Sequence, residues 1–167
     1  AIAEYKCNEY GFFSDITFMD VNGNPCESTI GSAYVKIVTD SRGNELERWN
    51  YDLNKELVVA TDGSAGYKAE YDSIGHLVRI MYYGEDGELC ELNSGYSGWS
   101  FEYNEMGEFI KQSYFGIDMK PTTDNNNVCS YIVERDIRGN ITKMLCYNEK
   151  GELTLNGDGI AITEYEY

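Results

Sequence analysis

Two prolines, one histidine and two tryptophans are all that 167 residues hold of these types, and 13 basic side chains face 29 acidic ones. Each shortage removes a class of reading. Few prolines beside 17 glycines suit many short strands joined by turns that need positive φ. A net charge of −16 repels a phosphate backbone rather than steering it in, so nucleic acid is not an expected partner. No apolar run approaches the ~18–20 residues of a membrane-spanning helix, so no membrane span is expected in this chain. Ala1 begins inside a strand pattern with no basic, apolar leader before it, which places any secretion signal upstream.

Chemistry-bearing motifs are also missing. The chain has no Gly-x-Ser-x-Gly elbow, phosphate loop or dinucleotide fingerprint. Its five cysteines, Cys7, Cys26, Cys90, Cys129 and Cys146, form no Cys-x-x-Cys pair, which argues against zinc. They read as free, small apolar fillers. Asp20-Val-Asn22-Gly-Asn24 starts like a calcium loop, but Pro25 and Gly31 stand where that loop needs glycine and glutamate, and a turn is the better reading. His76 occupies a column otherwise held by Phe12, Asn44, Glu108 and Asn140, a variable turn flank rather than a catalytic base with an oriented partner. No catalytic residue, metal ligand or cofactor site is expected, and the chain does not read as an enzyme.

What is present is a repeat. Gly11, Gly43, Gly75, Gly107 and Gly139 recur at 32-residue intervals, each preceded three positions earlier by Asn8, Asp40, Asp72, Asn104 or Asp136. A period of this length means stacked supersecondary units that bury their apolar faces only against neighbours. The spacing divides one domain, 1–167, into a partial unit 1–7 and units 8–39, 40–71, 72–103, 104–135 and 136–167. Ala1–Cys7 falls in the same phase as Ala161–Tyr167 and matches it at Ala1, Ile2, Glu4 and Tyr5. A ring uses each element once, so this duplication predicts an open array with exposed terminal strands able to pair edge to edge, cut from a longer protein.

Within a unit, alternation such as Trp99-Ser-Phe101-Glu-Tyr103 predicts a half-buried antiparallel strand. Asp72-Ser-Ile-Gly75 and its counterparts predict type I turns closed by a left-handed glycine. A second strand follows, as in His76–Tyr83, and a second turn recurs 12 residues after the first, as at Asp20–Gly23, Gly84–Gly87 and Asn148–Gly151. Asp52–Lys55 and Gly116–Met119 lack its final glycine and should turn less tightly. A short third strand such as Glu88–Leu92 and a glycine-containing link complete the unit. Thr122–Val128, polar and poor in strand formers, reads as a disordered loop. No segment has sustained helical periodicity, and the fold class is all-β, an open array of antiparallel hairpins built from five 32-residue repeats.

Tyr71-Asp72-x-x-Gly75-x-Leu77, with Arg135-Asp136-x-x-Gly139-Asn140-Ile141 and Thr39-Asp40-x-x-Gly43-Asn44, resembles the YD repeat of the RHS family, large bacterial surface and secreted proteins whose hairpins pair sideways into a long curling sheet. The resemblance covers the hairpin half of each unit and implies a bacterial, extracellular or cell-envelope setting. This chain departs from it in its longer unit, its second turn and its Tyr-Tyr before that turn. Tyr82-Tyr83-x-x-x-Gly87 and Tyr147-x-x-x-Gly151 are distantly similar to choline- and glucan-binding cell-wall repeats, which are shorter and rich in tryptophan.

Aromatic columns carry the functional expectation. Val35, Tyr67, Trp99, Tyr131 and Thr163 lie on the apolar side of an alternating strand and read as core. Met19, Tyr51, Tyr83, Phe115 and Tyr147 share parity with the charged column Asp15, Glu47, Arg79, Lys111 and Lys143, with Trp49 beside them. The rings of Trp49, Tyr51, Tyr83, Phe115 and Tyr147 are therefore the candidate ligand-binding residues, a stacking surface for sugar rings or a protein partner. Their competing role is to cover neighbouring strands. Two functions follow: a non-catalytic binding module for carbohydrate or protein, or a purely structural spacer or shell segment.

Overall fold

The computed structural model describes residues 2–167; Ala1, where the sequence pattern opens its first strand, lies outside them. The chain forms one eleven-stranded antiparallel sheet whose strands lie side by side in sequence order. They are β1 (Ile2–Cys7), β2 (Phe13–Met19), β3 (Tyr34–Thr39), β4 (Glu45–Tyr51), β5 (Gly66–Tyr71), β6 (Leu77–Tyr83), β7 (Gly98–Tyr103), β8 (Phe109–Phe115), β9 (Ser130–Arg135), β10 (Ile141–Tyr147) and β11 (Ile162–Glu164). The sheet is an open meander of hairpins, with β1 and β11 at its edges.

Each unit holds two strands and three turns, where the sequence predicts three strands and two turns. The expected third strand reduces to a single bridge, as between Tyr83 and Leu89 or Tyr51 and Leu57. The cause is length, because only four residues separate the second turn from another. In these bridges the following residue makes the bond, as Cys26 N does to Phe18 O and Thr122 N to Tyr114 O. The preceding position needs no donor, and the chain's two prolines, Pro25 and Pro121, both stand there.

All three turns have one geometry: the fourth residue's N–H bonds the first carbonyl, and the first N–H bonds the fifth carbonyl. Gly75 N to Asp72 O at 3.2 Å with Asp72 N to His76 O at 2.9 Å is one copy. This is a type I turn closed by a left-handed residue. The first side chain caps it, as Asp72 Oδ1 accepts from Ile74 N and His76 N. Where the first residue is Gly84, Gly116 or Ala60, the third-position Asp86, Asp118 or Asp62 accepts from the fifth N–H instead.

The fourth position is left-handed whether or not it is glycine. Lys55, Met119 and Asn127 hold φ of 65°, 62° and 62°. The turns at Asp52 and Gly116, expected to be looser, close with bonds of 3.1 and 3.0 Å. Pairing on both sides imposes the turn and the residue yields to it, at a cost of roughly 1–2 kcal/mol. The supposed disordered loop 122–128 is likewise a third turn: Asp124 caps Asn126 N and Val128 N, and Val128 is fully buried.

Register sorts the side chains. Tyr67 faces Tyr82, and Ala69 faces Ile80, on an apolar face; Lys68 faces Met81, and Glu70 faces Arg79, on a polar one. Full burial concentrates where the third turns meet the strands, at Ala33, Ala65, Ser97, Val128 and Cys129. In the column expected to be core, Val35 is buried, but Tyr67, Trp99 and Tyr131 are only half-buried. No second sheet covers them. They cover one another instead, Tyr67 against Tyr82 at 6.0 Å and Tyr114 against Tyr131 at 6.4 Å. Charge on this face is neutralised locally: Arg48 brackets the Glu45 carboxylate at 2.7 and 3.0 Å, and the Tyr67 hydroxyl donates to it. Burial first, then that carboxylate, pushes the Tyr67 phenol well above its ordinary range.

Candidate functional site

Trp49, Tyr51, Tyr83, Phe115 and Tyr147 all fall on the polar face. Trp49 pairs with Gly66, Gly66 with Tyr83, Gly98 with Phe115, Ser130 with Tyr147 and Tyr34 with Tyr51. Each ring is half-buried. The row stands at the strand ends nearest the second turns, one ring per unit from Tyr51 onward, with Trp49 two residues inward on the same face.

The best-formed part of the row joins Trp49 and Tyr83, whose centroids are 5.6 Å apart with planes tilted by 50°. Gly66 makes this possible. A Cβ there would lie 2.3 Å from the Arg48 carbonyl and 2.5 Å from the indole, so the ring rests on bare backbone. Trp49 Nε1 donates to Glu47 at 2.8 Å, which fixes the ring's orientation. Lys68 Nζ caps both rings, 5.8 Å from the Trp49 centroid and 5.5 Å from that of Tyr83, while keeping Glu47 at 3.8 Å. Lys36 caps Tyr51 in the same way at 5.7 Å. The row therefore offers aromatic faces beside exposed ammonium groups. Its carboxyl-terminal half is plainer, with Phe115 and Tyr147 beside Ser113 and Ser130 and no capping lysine.

At the amino-terminal end the polar face opens into a cleft of about 270 Å³ between the first two units. Lys6, Lys36 and Lys55 line it with Asp15, and Tyr34 and Tyr51 form its aromatic side. Of these residues the sequence reading singles out only Tyr51. Lys55 carries the one signal that could have found the cleft, a long side chain at a turn position usually held by glycine.

His76 is better partnered than its column suggests. Its Nδ1 lies 3.0 Å from Asp72 Oδ2, and its ring stacks on Tyr103 at 4.5 Å, so it ties one first turn to the next strand. Among the described residues no group of three His, Cys, Asp or Glu side chains could hold a metal ion, and no helix is long and apolar enough to cross a membrane. The five cysteines are free thiols, with Cys129 and Cys146 buried; burial pushes both thiols up, away from reactive thiolate. The chain matches no protein-family model and no curated protein sequence.

Proposed function

We propose that this chain is a non-catalytic repeat module of a larger bacterial surface or secreted protein, binding carbohydrate or protein through the ring row of its polar face. The observation that carries this reading is the Trp49–Tyr83 pair laid on side-chain-free backbone and capped by Lys68. Half-buried rings beside exposed lysines present flat apolar faces and hydrogen-bond donors together, the combination a sugar ring or a peptide uses. The test is Tyr51→Ala, Tyr83→Ala and Tyr147→Ala, with glycan-array binding and urea unfolding measured on the same samples. Binding should fall while stability drops by less than the ~3–5 kcal/mol typical of a buried aromatic. Loss of the full amount in all three, with no glycan or partner bound by the parent, would overturn it.

A second reading, a rigid spacer or RHS-like shell segment, draws on the bonds between successive hairpins. Tyr71 and Tyr103 hydroxyls reach the carbonyls of Glu45 and Leu77 at 3.2 and 2.9 Å, and Arg135 Nε reaches that of Phe109 at 3.1 Å. These contacts stiffen a stack whether or not it binds anything, and the reading gains if the three variants leave every interaction unchanged.

A further inference from the structure

The geometry points to the amino-terminal cleft as a subsite for a single sugar ring carrying an anionic group, an inference that rests on the ring face being a saccharide surface. Size comes first. At about 270 Å³ the cleft falls just below the ~300 Å³ at which drug-sized pockets begin, room for one ring rather than a chain of them.

An internal comparison explains why space exists here. In the second unit the pair Trp49–Gly66 occupies this register, and the indole covers the floor. In the first unit the corresponding pair is Thr17–Tyr34. A short threonine leaves the strand floor between Asp15 and Tyr51 bare. Lys36 and Lys55 stand over the rings of Tyr51 and Tyr34, at 5.7 and 5.9 Å. A sugar can lay its C–H face on such a wall and turn its polar edge to the ammonium groups.

Charge selects the ligand. Lys68, Lys111, Lys120 and Lys143 each have a carboxylate within 4.0 Å. Among the described residues Lys6, Lys36, Lys55 and Lys150 have none that close, and the first three line this one cleft against the single carboxylate of Asp15, itself bonded to Ser14 Oγ. In a chain of net charge −16 this is a local reversal of sign. The surrounding field gives an anion no long-range pull, so selectivity must come from contact.

Lys55 supplies an independent indication. It sits at the left-handed fourth position of its turn, φ 65°, where Gly23, Gly87 and Gly151 stand in three other units and Met119 in the remaining one. The backbone would be relieved by glycine there, yet the residue present sends an ammonium into the cleft. Stability and binding therefore make opposite demands on one position.

The experiment is titration of the intact chain with glucuronic acid, a sulfated glucose and neutral glucose, followed by heteronuclear NMR, on the parent, Thr17→Trp and Lys55→Gly. Both acidic sugars, or one of them, should bind saturably with shifts confined to residues around the cleft, and glucose should not. The arm that binds identifies carboxylate or sulfate as the anion. Lys55→Gly should raise the melting temperature and weaken binding about tenfold, the loss of one charge-assisted contact. Thr17→Trp should abolish binding with strand amide shifts elsewhere unchanged. Equal binding of glucose, no saturable binding of either acid, or parent-like affinity in both variants would overturn the subsite. If Tyr83→Ala and Tyr147→Ala still abolish polymer binding in that event, the ring row stands without the cleft. If the acids bind while those variants change nothing, the cleft stands without the row.

Discussion

The two rows of turns that border the sheet hold neighbouring hairpins together in different ways. Along the first-turn row the contacts are made by side chains: Phe12 lies against Gly43, His76 against Gly107 and Glu108 against Gly139, while Tyr71, Tyr103 and Arg135 reach back to carbonyls 26 residues earlier. Along the third-turn row backbone meets backbone. Asn93 N donates to Asp62 O at 3.0 Å and Asn125 N to Ser94 O at 2.9 Å, and the two asparagine side chains add bonds to Thr61 and Asn93 carbonyls. Beneath lie fully buried small residues such as Ala65 and Ser97. One row works by reach, through long side chains of different chemistry. The other works by proximity and accepts only what is small.

The largest effect should come from forcing that difference. Gly75, in the first row, has φ +102° and open space around a new Cβ, with Asn44 no nearer than 3.8 Å. Gly95, in the third row, has φ +89° and would set a Cβ 2.6 Å from Asn125 Oδ1. Gly75→Val should cost about the 1–2 kcal/mol of the left-handed backbone alone. Gly95→Val should cost more, because its Cβ also displaces the Asn125 side chain, which donates to the Asn93 carbonyl. Urea midpoints for both variants measure this, and equal shifts would break the comparison.

A smaller change tests reach directly. Tyr71→Phe removes the hydroxyl that Glu45 O accepts and should lose about 0.5–1.5 kcal/mol, with faster amide exchange where β4 and β5 meet. Tyr71→Arg should recover most of that loss, as Arg135 already serves in the same column. If arginine recovers nothing, the tyrosine acts through its ring and not its hydroxyl.

The smallest effect concerns pH. In the first row Asp136 is held below its ordinary 3.8, chiefly by the Asn140 side-chain amide, and against the opposing pull of burial; in the second turns Asp20 is lowered first by the Asn24 backbone N–H. A carboxylate depressed in the folded state contributes stability above its unfolded value, and that contribution is lost as pH falls through the folded value. Unfolding midpoints should therefore drop on acidification below 3.8. Asp136→Asn keeps the capping oxygen but removes the titration, as Asn104 does naturally. It should flatten its share of the slope; an unchanged profile would assign the acid sensitivity elsewhere.

The difference between the rows also decides what could be read in advance. First turns announce themselves because their first residue is always Asn or Asp and their fourth always Gly. Strand alternation then gives the two faces, and it placed Tyr51, Tyr83, Phe115 and Tyr147 correctly by parity. Third turns open with Ser28, Ala60, Leu92, Asp124 and Asn156, a set with no shared side chain, because only the backbone bonds are common to all five. Thr122–Val128 looked disordered for the same reason: its order comes from the turns packed on either side. Lys55 and Met119 were misread because local preference was weighed without the pairing that overrides it. The cleft was not legible since it depends on what Thr17 fails to fill, and it joins residues from four strands and a turn.

The latches that span 26 residues have a mechanical consequence. Strands lie across the axis along which units are stacked, and among the described residues no contact locks the first unit to the last. Tension on the two ends would strip one strand at a time from an edge, loading a few hydrogen bonds in succession like an opening zipper instead of shearing many together. Each 32-residue unit released would add roughly 105–115 Å of extended chain, at about 3.3–3.6 Å per residue. A module built this way yields at low force over long distances, absorbing work as it lengthens and recovering it as units re-dock on the edge that remains.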